Sequence, residues 1–239
     1  MFLKSTKYYD VIYQAVGKDY AGEVREAHRI IRKHLRSKGN QHLDVACGTG
    51  EHASHFARYY RVEGIDLDPK MLAVARKKYP AIRFHPGDML NFRVSRGFDV
   101  IVCLFSSIGY VETRSGLFKA TQNMSAHLLP GGVLLIEPWF SPAQWHTGRV
   151  STVHADKPDL KITRMSWSSR QGNLSKFECQ YLIGTPKGIT HATELHKLGL
   201  FTKREYLRAF RAAGLEVIHD PKGLDGRGLY IGLKPMDGK

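Results

Sequence analysis

A regular alternation of strand-like and helix-like segments between residues 42 and 137 constrains the fold of this 239-residue chain more than any other sequence feature. Five short apolar runs are typical of buried strands: 42–46, 62–66, 82–85, 98–105 and 133–137. Helix-like segments separate several of them: 52–60, 69–79 and 117–129. This β-α-β-α order predicts an α/β fold with a mostly parallel sheet and helices on both of its faces.

Different patterns flank the alternation. Apolar residues recur at helical spacing over 20–38, and we expect residues 1–40 to form an N-terminal helical cap. Between about residues 145 and 200 the pattern changes to strand-like runs separated by turn sequences, which predicts an antiparallel β insert. The predicted strands of the insert are 161–169, 175–183 and 191–200. We expect all these parts to form a single domain over residues 1–239.

The chain is strongly basic. Lysine and arginine outnumber aspartate and glutamate by 36 to 22, which gives a formal net charge of +14. Such a surface attracts anions, so nucleic acid, a nucleotide-linked metabolite and anionic lipid are all compatible with the charge. The positive residues are spread along the chain, which argues against a dedicated nucleic-acid tail. No apolar stretch is long enough to cross a membrane, and we expect no membrane partner.

The three cysteines, Cys47, Cys103 and Cys179, are odd in number, widely spaced and without a CxxC pair. This pattern favours neither a disulfide framework nor a zinc site, so we expect no metal. Unpaired cysteines are typical of a reducing compartment, and the N-terminal apolar run is too short for a signal peptide. These observations predict a cytoplasmic protein.

The segment Leu43–Gly50 carries a strand into a glycine-rich loop ahead of a helix. Glycines there allow a tight turn and a close approach of the backbone to a ligand, and the helix start adds unpaired N–H groups. Residues 48–53, Gly-Thr-Gly-Glu-His-Ala, also fit the dinucleotide pattern G-x-G-x-x-G/A. A nicotinamide-dependent oxidoreductase and a plain strand–turn–helix are therefore alternatives for this motif alone.

Three carboxylates near the ends of successive strands favour a different ligand. Asp44 lies just before the glycine-rich loop, where it can receive an ammonium group and would repel a pyrophosphate. Asp66 ends the second strand at the spacing that suits ribose hydroxyls. Asp88 follows the third strand, where it can accept a hydrogen bond from an adenine amino group. The three together indicate an adenosine ligand with an amino-acid-like end.

With Met89 and the turn Leu128–Gly132, these residues resemble the class I S-adenosylmethionine (SAM)-dependent methyltransferases. The resemblance implies a Rossmann-like fold with a mostly parallel seven-stranded sheet, and SAM as the cofactor. It places Gly48 and Gly50 around the methionine end of SAM, Asp66 on the ribose, and Asp88 with Met89 at the adenine. The implied cofactor-binding residues are Tyr13, Tyr20, Asp44, Ala46, Gly48, Thr49, Gly50, Asp66, Leu67, Met71, Asp88, Met89 and Leu104.

A closer resemblance covers nearly the whole chain. Five segments are similar to the N,N-dimethyltransferases that act on amino sugars attached to dTDP: Gly17–Ala21, Phe105–Tyr110, Glu137–Trp139, Arg170–Asn173 and Gly226–Leu229. This resemblance implies a small-molecule substrate such as a sugar nucleotide, N-methylation and a homodimer. It places Tyr13 near the transferable methyl group and Tyr20 at the methionine end. The residues implied at the substrate are Tyr110, Trp139, Arg170, His196 and Arg227.

An amine must be unprotonated to accept a methyl group, so a side chain that acts as a base would assist the reaction. Glu137 ends the fifth strand, at the edge where α/β sheets bind ligands. His127 and His196 are further candidates, although a capping or packing role at a helix end explains His127 better, and a position in a strand explains His196 better. With Tyr13, the predicted catalytic residues are Glu137 and His127. An RNA methyltransferase, favoured by the net charge, and a non-catalytic SAM-binding protein stay as alternatives.

Overall fold

The computed structural model describes residues 6–236. The helices are α1 (Tyr9–Ala15), α2 (Tyr20–His34), α3 (Glu51–Phe56), α4 (Pro69–Lys78), α5 (Arg114–Ala126) and α6 (Lys203–Ala212). The strands are β1 (Gln41–Val45), β2 (Arg61–Asp66), β3 (Arg83–Pro86), β4 (Phe98–Cys103), β5 (Leu128–Ile136), β6 (Val150–Lys157), β7 (Leu160–Gln171), β8 (Leu174–Thr185), β9 (Gly188–Gly199), β10 (Glu216–Asp220) and β11 (Leu229–Leu233). Short 3-10 helices cover Thr6–Tyr8 and Ser107–Val111.

Seven strands form the larger sheet, in the order β10-β11-β5-β4-β1-β2-β3. Neighbouring strands pair in parallel except at β11, which runs antiparallel to both β10 and β5. The strands β6 to β9 form a separate antiparallel sheet. The two sheets confirm the predicted α/β fold, with a mostly parallel seven-stranded sheet and an antiparallel insert.

The order of the strands identifies where a ligand can bind. From β1 the chain moves outward through β2 to β3, and it then returns to place β4 on the other side of β1. The connections that leave the carboxyl ends of β1 and β4 therefore diverge and open a crevice between them. Open α/β sheets bind their ligands in this crevice.

Alternation within the central strands explains why helices cover both faces of the sheet. In β4, Val100 and Val102 belong to the apolar cluster that contains Val24 and Ile31 of α2. Ile101 points the other way, into a cluster that includes side chains of α5 and α6. Every residue of β4 is buried, as expected for the centre of a parallel sheet. No helix between residues 6 and 236 is long and apolar enough to span a membrane.

The segment 130–132 lies inside β5, although we predicted it to end a helix before that strand begins. The pairing of β5 with β4 shifts between Leu128 and Val133, so the segment forms a bulge. The Gly131 carbonyl accepts hydrogen bonds from the two amides that follow Leu35. These bonds hold the chain after α2, which is extended from Leu35 and not helical to residue 38 as predicted.

The insert has four strands, one more than predicted. Only Ala155 among the eight residues of β6 is buried, so this strand has no apolar side that a sequence pattern can reveal. The inner face of the insert packs on α1 through Ile12, which contacts the cluster containing Ile162 and Tyr181. Helices α1 and α2 lie within the predicted cap, and residues 1–5 of that cap lie outside the described residues.

A polar cluster joins α1 to the glycine-rich loop. The Thr49 hydroxyl donates to the Asp10 carboxylate at 2.6 Å, and the Lys78 ammonium donates to the same carboxylate at 2.7 Å. Lys78 also pairs with Glu51 at the start of α3. Because Asp10 lies on α1, these contacts hold the first helix beside the loop that leaves β1.

His42 is a buried histidine that packs against aromatic rings at the start of β1. Its fully buried ring lies 4.3 Å from the Phe56 ring and 5.3 Å from the Tyr60 ring, measured between centroids. Neither ring nitrogen has a hydrogen-bond partner among residues 6–236. Burial lowers the pKa of His42 to about 3, because the imidazolium would lose its hydration.

We therefore expect His42 to weaken the fold in acid. Below pH 6.5 the unfolded chain protonates this residue and the folded protein does not, so stability falls as the pH drops toward 3. Between pH 7 and pH 5, urea titrations should show wild type losing about 2 kcal/mol more than His42→Leu. His146→Leu, at an exposed loop position, should follow wild type. Parallel pH profiles for wild type and His42→Leu would contradict this account.

Candidate functional site

The backbone after β1 makes an open turn at the crevice. Ala46 and Gly48 have positive φ angles of 60° and 55°, and Gly50 begins α3 at φ 83°. A Cβ added at Gly50 would lie 2.9 Å from the Phe84 ring, which explains the need for glycine there. A Cβ added at Gly48 would meet no atom within 4 Å, so this part of the loop faces open space. The loop thus offers bare backbone to a ligand.

Two buried polar groups line a small cavity of about 30 Å³ beside this loop. The Asp44 carboxylate is 2% exposed, and its Oδ2 atom has no hydrogen-bond partner among the described residues. The Tyr20 hydroxyl is also buried without a partner there. Burial, with a contribution from Asp66, raises the pKa of Asp44 to about 8. A buried acceptor and a buried donor that lack partners fit the ammonium and carboxylate groups of an amino acid.

Asp66 holds the glycine-rich loop against the end of β2. Its carboxylate accepts hydrogen bonds at 2.8 Å from the amides of Gly48 and Asp68. Burial raises the pKa of Asp66. Asp88 is half-buried one strand further out, and its Oδ1 atom accepts from the Leu90 amide at 2.9 Å. Each carboxylate keeps lone pairs that these bonds do not use, so both can accept from hydroxyl or amino groups.

The other predicted cofactor residues lie around the same strand ends, with different exposures. Met71 and Leu104 are buried at 3%, and Met89 is half-buried against the apolar core. Thr49 is buried and donates its hydroxyl to Asp10 of α1. Leu67 is 54% exposed, so a ligand would contact its side chain at the protein surface.

A larger cavity of about 590 Å³ lies between the crevice, the helical cap and the antiparallel insert. Five of the predicted residues line it: Tyr13, Tyr110, Trp139, His196 and Arg227. Tyr9, Phe105 and Ser107 line both this cavity and the small one beside Asp44, so the two spaces are neighbours. The structure therefore brings the predicted substrate residues next to the predicted cofactor residues.

Glu137 lies beneath the large cavity and is fully buried. Its Oε2 atom accepts from the Phe105 amide at 2.5 Å, and its Oε1 atom lies 3.2 Å from Arg227 Nη2. Arg227 also pairs with Asp225. Burial raises the pKa of Glu137, while the charge of Arg227 acts in the opposite direction. Both carboxylate oxygens are thus bonded within the protein, where they hold Phe105 and Arg227 in place.

Arg164 is a lining residue that sequence reasoning missed. Its guanidinium lies 5.9 Å from the centroid of the Tyr13 ring and 6.0 Å from that of Phe177. The Nε atom is buried and has no hydrogen-bond partner among residues 6–236. A signal was present, because Arg164 occupies the inward position between Ile162 and Ser166 on β7, where a charged residue is unusual.

Lys18 and Glu23 were missed as well. The Lys18 ammonium lies 4.0 Å from the centroid of the Phe105 ring and pairs with Glu23, which lies 2.8 Å from His52 Nε2. Both side chains line the large cavity. Lys18 belongs to the segment Gly17–Ala21, which resembles the sugar dimethyltransferases. Its place in that segment was the sequence signal that could have identified it as a site residue.

Two predicted residues lie away from both cavities. The exposed Arg170 guanidinium donates to the carbonyl oxygens of Gly172 at 2.6 Å and Pro142 at 3.0 Å, and so stabilises a turn. His127 follows α5 and precedes β5, at the edge of the sheet opposite to Glu137. Its Nδ1 atom lies 2.9 Å from the Asn123 carbonyl oxygen. The structure does not bring either residue to the site, because hydrogen bonds with nearby backbone hold both side chains elsewhere.

Comparison with known proteins identifies relatives that are similar over most of the chain. Residues 43–132 match the methyltransferase domain family. The chain is 42% identical to the dTDP-3-amino-3,6-dideoxy-alpha-D-glucopyranose N,N-dimethyltransferase of Streptomyces fradiae, over 97% of this chain and 91% of the relative. It is 39% identical to the dTDP-3-amino-3,4,6-trideoxy-alpha-D-glucopyranose N,N-dimethyltransferase of Streptomyces venezuelae, over 94% and 95% of the two chains.

Solved structures lead to the same family. DesVI of Streptomyces venezuelae superimposes with a TM-score of 0.92 at 38% identity, over 97% of this chain and 99% of that one. SAM-bound CalS10, an amino pentose methyltransferase from Micromonospora echinaspora, gives a TM-score of 0.87 at 37% identity, over 95% and 96%. The chain therefore belongs to the SAM-dependent methyltransferases, in the family of the dTDP-amino-sugar N,N-dimethyltransferases.

Proposed function

We propose that this enzyme transfers methyl groups from SAM to the amino nitrogen of a nucleotide-linked amino sugar. The observation that carries the proposal is the cavity of about 590 Å³ beside the small cavity that contains Asp44. It combines aromatic rings with the cation Arg164, whose buried Nε atom has no hydrogen-bond partner among the described residues. A planar guanidinium suits a phosphate group, and aromatic rings suit a sugar or a base. The substrates named for the two sequence relatives are dTDP-linked amino sugars.

The residues around the small cavity fit the amino-acid end of SAM. Asp44 would accept from its ammonium group, and the Tyr20 hydroxyl would donate to its carboxylate. Asp66 would accept from the ribose hydroxyls and Asp88 from the adenine amino group. When bound, the sulfonium of SAM supplies an electrophilic methyl group.

The contribution of the protein is then mainly positioning. Tyr9, Phe105 and Ser107 form the wall shared by the two cavities, so the acceptor nitrogen and the methyl group would meet beside them. Tyr13 packs edge-on against Phe105 with 4.9 Å between centroids, and these rings would help to exclude water when both ligands are bound. Burial raises the pKa of Tyr13, so its hydroxyl is neutral and can only donate or accept a hydrogen bond. In this proposal Glu137 acts by orienting Arg227.

Family membership rules out the nicotinamide-dependent oxidoreductase that the glycine pattern allowed. RNA methylation rests on the net charge of +14 alone, and the described residues supply no second observation for it. The homodimer, the cytoplasmic location and the single-domain organisation stay predictions from the sequence.

The direct test is a mass-spectrometric assay with SAM and dTDP-linked 3-amino sugars as acceptors. We expect products that are heavier by one and then by two methyl groups. Free amino sugars and bulk tRNA serve as comparison acceptors, and both should react far more slowly. Tight SAM binding without any methylated sugar nucleotide would leave the family intact and refute this substrate class.

The raised pKa of Asp44 predicts a pH-dependent affinity for SAM. The carboxyl group, with a pKa of about 8, must lose its proton to pair with an ammonium, so calorimetric affinity should rise from pH 6 to pH 7.5. Asp44→Asn should weaken binding by about 10- to 100-fold at pH 7.5 and abolish this rise. The matched control is Asp159→Asn, at an exposed turn between β6 and β7. An unchanged pH slope in Asp44→Asn would contradict the assignment.

Arg164 and Arg170 offer a paired test of the anion contact. Arg164→Gln should raise the KM for the sugar nucleotide by about 10- to 100-fold, the loss expected for a charged hydrogen bond, and leave SAM affinity unchanged. Arg170→Gln removes an arginine from the same strand whose guanidinium is held outside the cavity. It should change the KM less than twofold. Equal effects of the two variants would show that Arg164 does not meet the substrate.

A further inference from the structure

A buried chain of polar side chains leads away from the large cavity. The Tyr110 hydroxyl lies 3.0 Å from His196 Nδ1, and both residues line the cavity. On the other side of the imidazole, Nε2 lies 3.6 Å from Glu194 Oε2. The Tyr181 hydroxyl donates to the same Glu194 oxygen at 3.3 Å. The chain therefore connects a group in the cavity to a buried carboxylate through one imidazole.

The positions of Glu194 and His196 on β9 explain how the chain is built. They occupy successive inward positions, between Ala192 and Leu198, and are only 5% and 4% exposed. An acid and an imidazole replace the apolar side chains expected there. The carboxylate favours the ring form that carries its proton on Nε2, and in this form Nδ1 is the acceptor for the Tyr110 hydroxyl.

The proposed reaction creates a need for such a chain. When an amine accepts a methyl group, its nitrogen becomes a positively charged ammonium that keeps its N–H protons. A second methyl group can attach only after one N–H proton has left, because the lone pair must be free. A primary amine that arrives protonated has the same requirement before the first transfer.

We propose that Tyr110, His196 and Glu194 form a proton relay that deprotonates the acceptor nitrogen before each methyl transfer; this inference rests on the proposed function above. The N–H bond of the acceptor breaks and its proton bonds to Tyr110 Oη, while the proton of Tyr110 moves to His196 Nδ1. Glu194 balances the charge of the imidazolium. The proton on His196 then passes to water in the cavity, and the relay returns to its initial protonation state.

The tyrosine acts here as a carrier of protons and not as an anion. Burial raises the pKa of its hydroxyl well above the usual value, so it is protonated at neutral pH and gains one proton as it gives another. The groups that face this chain from the surrounding elements also bear on its pH response. They are Tyr9 and Tyr13 of α1, Arg164 of β7, and Cys179 and Tyr181 of β8.

The test measures both methyl transfers as a function of pH in wild type and in His196→Gln. The variant keeps a buried polar side chain but cannot take up a proton at neutral pH. At pH 7 we expect each of the two methyl transfers to slow on the order of 100-fold. The rate should recover at alkaline pH, where water deprotonates the acceptor without the relay. Tyr110→Phe should show the same recovery, which covers the case in which His196→Gln fails to fold.

His191→Gln is the matched control, because His191 lies on the same strand and faces outward. It should keep wild-type rates and the wild-type pH profile, and SAM affinity should be unchanged in all three variants. A rate loss in His196→Gln or Tyr110→Phe that is equal at every pH would indicate a structural role and overturn the relay. Wild-type rates across the pH range in those variants would overturn it too. A wild type that methylates no amine at all would overturn the proposed function itself.

Discussion

The hydrogen bond from the Gly48 amide to the Asp66 carboxylate is the contact on which the rest of the site depends. It holds the loop after β1 against the end of β2 and so sets the position of Thr49. Thr49 in turn holds Asp10 of α1, and α1 carries Tyr13 into the large cavity. The antiparallel insert packs on the same helix through its own apolar face. This hydrogen bond at the crevice thus helps to position the small cavity, the cap and the insert relative to one another.

The buried carboxylates of this protein have different roles, which depend on their hydrogen-bond partners. Both oxygens of Glu137 are bonded within the chain, and its burial serves to order Phe105 and Arg227. Asp44 keeps an oxygen at the small cavity that has no hydrogen-bond partner among residues 6–236. Burial, with a contribution from Asp66, raises the pKa of Asp44, and a positively charged ligand would offset this cost. A carboxylate whose bonds are already satisfied supports architecture, whereas one that is left unsatisfied marks a binding site.

The large cavity exists because three separate parts of the chain meet above one end of the sheet. The cap contributes Tyr13 and Lys18, the strand ends contribute Phe105, and the insert contributes Arg164 and His196. Neither sheet could enclose this space alone. The similarity to the relatives covers most of the chain and so includes the insert, which adds side chains to the space beside the ends of the parallel strands.

The sequence by itself determined the alternation of strands and helices between residues 42 and 137 and the positions of Asp44, Asp66 and Asp88 at or after the ends of strands, because each depends on a local pattern of burial or on a short turn. Local patterns could not separate Arg164 from Arg170 or His196 from His127, since each pair has the same chemistry. Only the tertiary structure decided between them. Strand pairing turns Arg164 and His196 inward toward the cavity, whereas nearby backbone carbonyls retain Arg170 and His127 elsewhere. The physical reason is that a cavity is defined by residues distant along the chain, whose convergence no single segment encodes.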